Sequence, residues 1–294
     1  MVYQKTVGDR IFGFTLTILI AFVVIFTLYP IIYVFSMSIS DPQAALRGEV
    51  LLFPKGFSTT AFETVFANKD LGRYYYNTVW YTLVGTVCNV AVTTLAAYPL
   101  SKPHFRPRKF FMLMFTFTMF FGGGMIPTYL VVTRLGLYNS RWAIVLPSLT
   151  AAYYIIIARS FFQTLPEELF ECARLEGAGE FRVLRSIVVP LSKPILAVLA
   201  LYYGVGHWNS YFPEMLYLGN QNLHPIQIYL RRVVIQSSPE AMKNFDMSAL
   251  GSGILAMMQV KYAVIIVAVL PILALYPFMQ RYFVKGMLIG SLKD

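Results

Sequence analysis

Six apolar stretches run along the chain: Ile11 to Phe35, Val79 to Leu100, Phe110 to Val132, Trp142 to Phe162, Ile195 to Leu218 and Tyr262 to Phe283. A helix rises about 1.5 Å per residue, so about 20 apolar residues cross a hydrocarbon core roughly 30 Å thick. Each stretch therefore predicts one transmembrane helix. Together they predict an all-α integral membrane fold in one domain, residues 1–294. The first stretch follows Lys5 and Arg10, as a secretory signal would. Its 25 charge-free residues are too long for a signal core, and no small-residue cleavage site follows, so it is expected to be retained as a span.

The connections are unequal. Nine residues, SKPHFRPRK, join the second and third spans; their prolines disfavour extending the helix and their charges hold the loop at the membrane surface. Two other connections run to about forty residues, a length that is usually functional or disordered. In the last of them LHPIQIYLRRVVIQ mixes apolar and basic positions, compatible with a small ordered element or with an amphipathic stretch lying on protein or lipid. Gly122, Gly123 and Gly124, followed by Pro127, mark a flexible or closely packed helix end in the third span.

Composition agrees with the pattern. The chain is 57% hydrophobic and 13% charged, against roughly 25% charged in an ordinary soluble domain. Its net charge of +10 is explained by the positive-inside tendency, without nucleic acid. With the N-terminus in the cytoplasm, Lys102, Arg106, Arg108 and Lys109 share one inner loop, and Arg281, Lys285 and Lys293 lie on the C-terminal side. The first outer loop instead balances Arg47, Lys55, Lys69 and Arg73 against Asp41, Glu49, Glu63 and Asp70. Both termini are therefore expected inside.

Chemistry-bearing motifs are few. Cys88 and Cys172 fall in different environments and suggest no disulfide, and His104, His207 and His224 form no metal-ligand pattern. No G-x-x-x-x-G-K-[ST] run is present, so any ATP used is bound by another subunit.

One charged segment lies between two apolar stretches: FECARLEGAGEFRVLRSIVVPLSKP, from Phe170 to Pro194. Upstream, Thr164-Leu165-Pro166-Glu167 reads as a helix start, with threonine at the cap and glutamate three residues on. A short helix carrying Leu169, Phe170 and Ala173 on one side then meets Gly177-Ala178-Gly179, which favours a bend. A second helix carries Phe181, Leu184 and Val188 before Pro190 and Pro194 redirect the chain. The reading is a folded helix–bend–helix over residues 164–190 facing the cytoplasm. Periodicity alone fits equally a solvated connector or a pair of helices lying on lipid.

Glu171-Cys172-Ala173, Gly177-Ala178, Phe181, Ile187, Pro190 and Pro194 resemble the E-A-A, three more residues, G-A, then F, I, P and P signature of ABC importer permeases. Cys172 stands where that signature has its first alanine, and Glu176 where it has aspartate. LFPKGFS, RLGLYNS, HWNSYF and RYFVKGMLIGSLKD are similar to the carbohydrate branch, that of the six-span maltose-type permeases. Within it the chain looks more like permeases for larger oligosaccharides, such as those from alginate or pectin.

The resemblance implies a type I importer permease fold that binds no cofactor itself. It implies a heterodimer with a second permease, two ATPase subunits carrying ATP and Mg, an extracytoplasmic sugar-binding protein, and a bacterial inner membrane. Glu171, Cys172, Ala173, Glu176, Gly177, Ala178 and Phe181 would form the coupling helix that docks on the ATPase. For the sugar path, His207, Trp208, Asn209 and Tyr211 lie about 13 to 17 residues beyond Pro194, roughly 20 to 26 Å along a helix. Polar groups at that depth should point away from lipid, toward substrate or a neighbouring helix.

A secondary transporter working without an ATPase is the alternative. It would often place acidic residues at the membrane midplane. No span carries one near its middle, Glu214 lying near an outer end. An intramembrane enzyme would need a nucleophile–base pair, and His207 has no evident partner in the sequence.

Overall fold

A computed structural model describes residues 7–236, 259–275 and 277, and every regular element among them is helical. In chain order these are α1 (Val7–Ile39), α2 (Pro42–Leu46), α3 (Thr60–Phe66), α4 (Leu71–Ser101), α5 (Arg108–Phe120), α6 (Met125–Arg134) and α7 (Trp142–Val145). There follow α8 (Ala152–Phe162), α9 (Glu167–Leu175), α10 (Glu180–Leu191, with a π turn over Leu184–Val188), α11 (Lys193–Asn209) and α12 (Phe212–Tyr217). The last are α13 (Ile226–Gln236) and α14 (Gln259–Leu275). The C-terminal basic residues and the RYFVKGMLIGSLKD run lie outside the described residues.

The described residues form two compact units: 7–71 with 230–236 and 259–270, and 72–229 with 271–275 and 277. In the first, α1 is a 33-residue helix whose apolar side chains are exposed along its length, as suits lipid. Its hydroxyls turn inward on the helix: Thr15, Thr17 and Thr27 donate to the carbonyls of Ile11, Gly13 and Val23. Past α1, Asp41 caps α2 by accepting from the Gln43 and Ala44 amides at 3.0 and 3.2 Å. Gln259, at the start of α14, donates to the carbonyls of Met37 and Ser40.

The second unit differs from the expected uninterrupted spans. Two helices, α1 and α4, are each long and apolar enough to cross a membrane alone. The third stretch is broken, with the axes of α5 and α6 meeting at 116°. Its glycines serve conformation rather than close packing. A Cβ at Gly122 or Gly123 would meet nothing, while Gly124 has φ +84°. The fourth stretch breaks at 146–151, which contains Pro147, and the fifth breaks after Asn209. LHPIQIYLRRVVIQ is ordered, its Tyr229 stacking on Tyr74 with ring centroids 5.4 Å apart.

The break in the fourth stretch and the chain between α12 and α13 both bond to α4. Asn89 donates its amide to the Ser148 carbonyl in the break between α7 and α8. Thr93 bonds Tyr203 at 2.7 Å and Thr150 at 3.3 Å, and the Tyr203 hydroxyl accepts from the Ala151 amide at 3.4 Å. Toward the Leu71 end, Asn77 donates to the carbonyls of Asn222 and His224, Tyr81 donates to that of Leu223, and Thr78 accepts from the Ile226 amide. At the middle, Gly85 lets α11 approach until the His207 imidazole fills the place of a side chain. A Cβ there would lie 2.6 Å from Cε1 and 2.8 Å from Cδ2. Gly85→Val should therefore overpack this contact by about 1–3 kcal/mol and lower the thermal midpoint of the purified protein. His207→Ala in the same chain should recover part of the loss, and an unchanged midpoint for Gly85→Val would show that the helices are not held this closely.

Candidate functional site

The charged segment folds as a two-sided element. α9 begins at Glu167 with Pro166 at its cap, so the expected cap by Thr164 is not formed. The Thr164 hydroxyl donates instead to the Phe161 carbonyl at 2.8 Å, finishing the preceding helix. One side of the element is buried: Phe170 and Ala173 of α9, with Val183, Leu184 and Val188 of α10, join Ala97, Tyr98 and Leu100 of α4 in one core. Its other side is open, with Glu171, Cys172, Glu176 and Gly177 exposed and Leu175 and Phe181 exposed at 89% and 72%. Leu169 and Phe181, grouped by spacing with Phe170 and with Leu184, are exposed, and the buried residues are Phe170, Ala173, Val183, Leu184 and Val188.

The bend is a helix stop of defined geometry. The Ala178 amide donates to the Ala173 carbonyl and the Gly177 amide to that of Arg174, both at 2.9 Å, with Gly177 at φ +74°. This is a Schellman stop, which places a left-handed residue just past the helix end. Ala178 closes it by packing on the same core as Ala173.

Beneath the element lies a cluster that the sequence did not disclose. Lys102, expected among the charges of a surface loop, is only 3% exposed. Its Nζ sits 2.8 Å from the centroid of the Phe170 ring and 3.9 Å from the Glu167 carboxylate. Burial pushes its ammonium below the ordinary lysine value, and Glu167 opposes that shift. Arg174 lies 3.8 Å from both Glu167 and Glu180, and the Tyr98 hydroxyl donates to Glu180 at 2.5 Å. Arg159 of α8 donates to the Leu100 carbonyl at 2.9 Å, holding the end of α4.

A second feature is a groove of about 450 Å³ whose walls include Ser148 and Thr150 of the break, Tyr154, Tyr202, Tyr203 and His207. Among the described residues, no Asp, Glu, Lys or Arg lines it. His207 finds the partner that its sequence context did not reveal: its Nε2 lies 2.6 Å from Asn89 Oδ1. His207 and Trp208 are buried, whereas Asn209 and Tyr211 are exposed at the break after α11. The four expected path residues thus divide into two that pack and two that face outward.

Residues 89–289 match the family of binding-protein-dependent transport system inner membrane components. The chain belongs to that family. This permease is 38% identical over 290 residues to protein LplC of Bacillus subtilis, covering 99% of this chain and 97% of that one. It is 40% identical over 265 residues to the polygalacturonan/rhamnogalacturonan transport system permease YtcP of the same organism, covering 90% and 92%. Its fold is similar to a chain in the solved structure of a bacterial ABC transporter involved in the import of the acidic polysaccharide alginate. There the TM-score is 0.87 and the identity 34%, over 96% of this chain and 100% of that one.

Of the signature that pointed to an importer permease, Glu171, Cys172, Gly177 and Phe181 are exposed, Ala173 is buried in the core, and Ile187, Pro190 and Pro194 lie further along α10 and α11. Leu175, Lys102 and Tyr98 lie outside the signature. An exposed leucine beside the glycine and a lysine four residues after a tyrosine were the available signals. Replacing Gly177 tests the bend alone, because a Cβ there would meet nothing. Gly177→Val should destabilise the element by about 1–2 kcal/mol and Gly177→Asn by clearly less, since asparagine tolerates the left-handed region. Amide exchange across residues 171–182 of the purified permease reads this, and equal exchange in the two variants would contradict it.

Proposed function

We propose that this permease is one of two related membrane subunits of an ATP-driven importer that carries an acidic oligosaccharide into the cytoplasm by alternating access. The observation that carries the reading is the two-sided element α9–α10. An element that buries Phe170 and Leu184 while exposing Leu175 and Phe181 has a hydrophobic reason to meet another protein. The exposed carboxylates of Glu171 and Glu176 around those side chains suit a basic rim on the partner. Here the ATPase subunit docks, with Glu171, Cys172, Ala173, Glu176, Gly177, Ala178 and Phe181 as the coupling residues.

In this reading the chain is a single permease domain of six spans with both termini in the cytoplasm. The spans are α1, α4, the broken pairs α5/α6, α7/α8 and α11/α12, and one that begins with α14. Exposed Arg106 and Lys109 beyond the Ser101 end of α4 support a cytoplasmic position for that end, and hence for α9. ATP and Mg sit on two partner ATPase subunits, and a sugar-binding protein delivers substrate from outside. ATP-driven closure of the ATPase pair shifts the docked elements and so biases the permease pair toward the outward-facing state.

The sugar passes along the groove between the α7/α8 break and α11. Its volume falls in the range of roughly 300–1,000 Å³ typical of small-molecule sites. Tyr154 and Tyr202 stack with ring centroids 5.7 Å apart, offering flat faces to a pyranose ring, and Ser148 and Thr150 offer hydroxyls. With no carboxylate in its lining, the groove does not repel a uronate. The pectin-type and alginate transport systems among the relatives support the same substrate class. Tyr211 is exposed toward solvent at the end of α11, whereas Trp208 supports the wall from behind.

The test is ATP hydrolysis and uptake by the reconstituted complex of both permeases, ATPase and binding protein. Uronate oligomers should stimulate hydrolysis and be imported, and neutral maltodextrins should do neither. Glu171→Lys should abolish both responses at wild-type membrane levels. Like charges 4 Å apart repel by up to about 4 kcal/mol at an effective dielectric of 20. Import driven by this permease in the absence of any ATPase would overturn the reading in favour of a secondary transporter.

A further inference from the structure

We infer that Lys102 is a positioning residue that, with Tyr98, fastens the coupling element to α4 at two points, so that displacing α9 displaces α4. This rests on the coupling reading of α9–α10. A lysine whose side chain is 4% exposed is not explained by packing, because burying an ammonium is unfavourable and an unbranched apolar side chain would fill the same place. It is not explained by topology either, since Arg106 and Lys109 already supply exposed positive charge beside it. What the ammonium adds is attraction with direction. It lies against the Phe170 ring and near Glu167, both on α9.

The second attachment lies across the bend. Tyr98, one helical turn before Lys102, donates to Glu180 in the first turn of α10. Arg174 joins the two anchor carboxylates, 3.8 Å from each. The apolar core already packs the element against α4, and the polar contacts add directional anchors to it. Two anchors on either side of Gly177 fix its orientation as well as its position. The partner helix is the right one for transmission, because Asn89 and Thr93 of α4 bond to Ser148 and Thr150 of the groove wall. A push on the exposed face is therefore delivered along one helix to the break beside the sugar path.

The test uses the whole reconstituted complex, with its binding protein loaded with uronate oligomers. Lys102→Met keeps length and removes charge. The ATPase should copurify in wild-type proportion and hydrolysis should remain at about half or more, while uptake falls about tenfold, the size of an ordinary coupling loss. Lys102→Arg should retain more uptake than Lys102→Met, and Tyr98→Phe, which removes one oxygen, should lower uptake about threefold with hydrolysis kept. A purely structural role predicts that hydrolysis and uptake fall together. That result, or normal uptake by Lys102→Met, would overturn the inference, and Tyr98→Phe decides if Lys102→Met does not accumulate. Glu171→Lys separates the two levels: if it imports normally the coupling reading itself fails, and if it alone blocks import only the two-point attachment fails.

Discussion

In hydrocarbon, a carbonyl or amide released by a broken helix has no water to turn to. Each buried polar group left unpaired costs about 1–3 kcal/mol. Among the described residues of the second unit, α4 is long and unbroken whereas the apolar stretches around it are interrupted, and several of the interrupted segments bond to α4. α4 carries the polar side chains. Asn77, Thr78 and Tyr81 serve the chain between α12 and α13, while Asn89 and Thr93 serve the break between α7 and α8. Lys102, just past its end, engages α9. A helix that is apolar enough to span the membrane thus doubles as a polar spine on its buried side.

That arrangement has a mechanical consequence. Irregular backbone at membrane depth is tolerated where it lines a cavity or is buried in protein, and the α7/α8 break does line the tyrosine-rich groove. The groove wall and the charged element bond to the same helix and the residue just past its end, which links the proposed docking surface to the proposed substrate path. The glycine at position 85 matters for the same reason. It brings α11 close enough for the His207 imidazole to reach Asn89, which in turn holds Ser148.

Much of this was legible in the sequence and some was not, for identifiable reasons. Hydropathy located the apolar stretches because burial in lipid acts on the composition of a whole segment. It smoothed over the breaks, because two to six residues near Pro147 or Ser210 barely change an average taken over twenty. The element α9–α10 was recoverable because its signature is local and its stop needs a residue at positive φ, which Gly177 announces. The burial of Lys102 was not legible: a basic residue at a membrane boundary has a sufficient explanation in topology, and only three-dimensional proximity to Phe170 and Glu167 reveals another. His207 and Asn89 are 118 positions apart, beyond the reach of any local pattern.

In the proposed arrangement the open face of α9 points into the cytoplasm and is covered by the ATPase. Cys172 is a native reporter on that face, exposed and free. Labelling with a membrane-impermeant maleimide measures both parts at once. Cys172 should react in inside-out vesicles stripped of ATPase, lose most of that reactivity when the ATPase is added back, and stay unlabelled in intact cells. Labelling from outside intact cells, or undiminished labelling with the ATPase bound, would contradict the account.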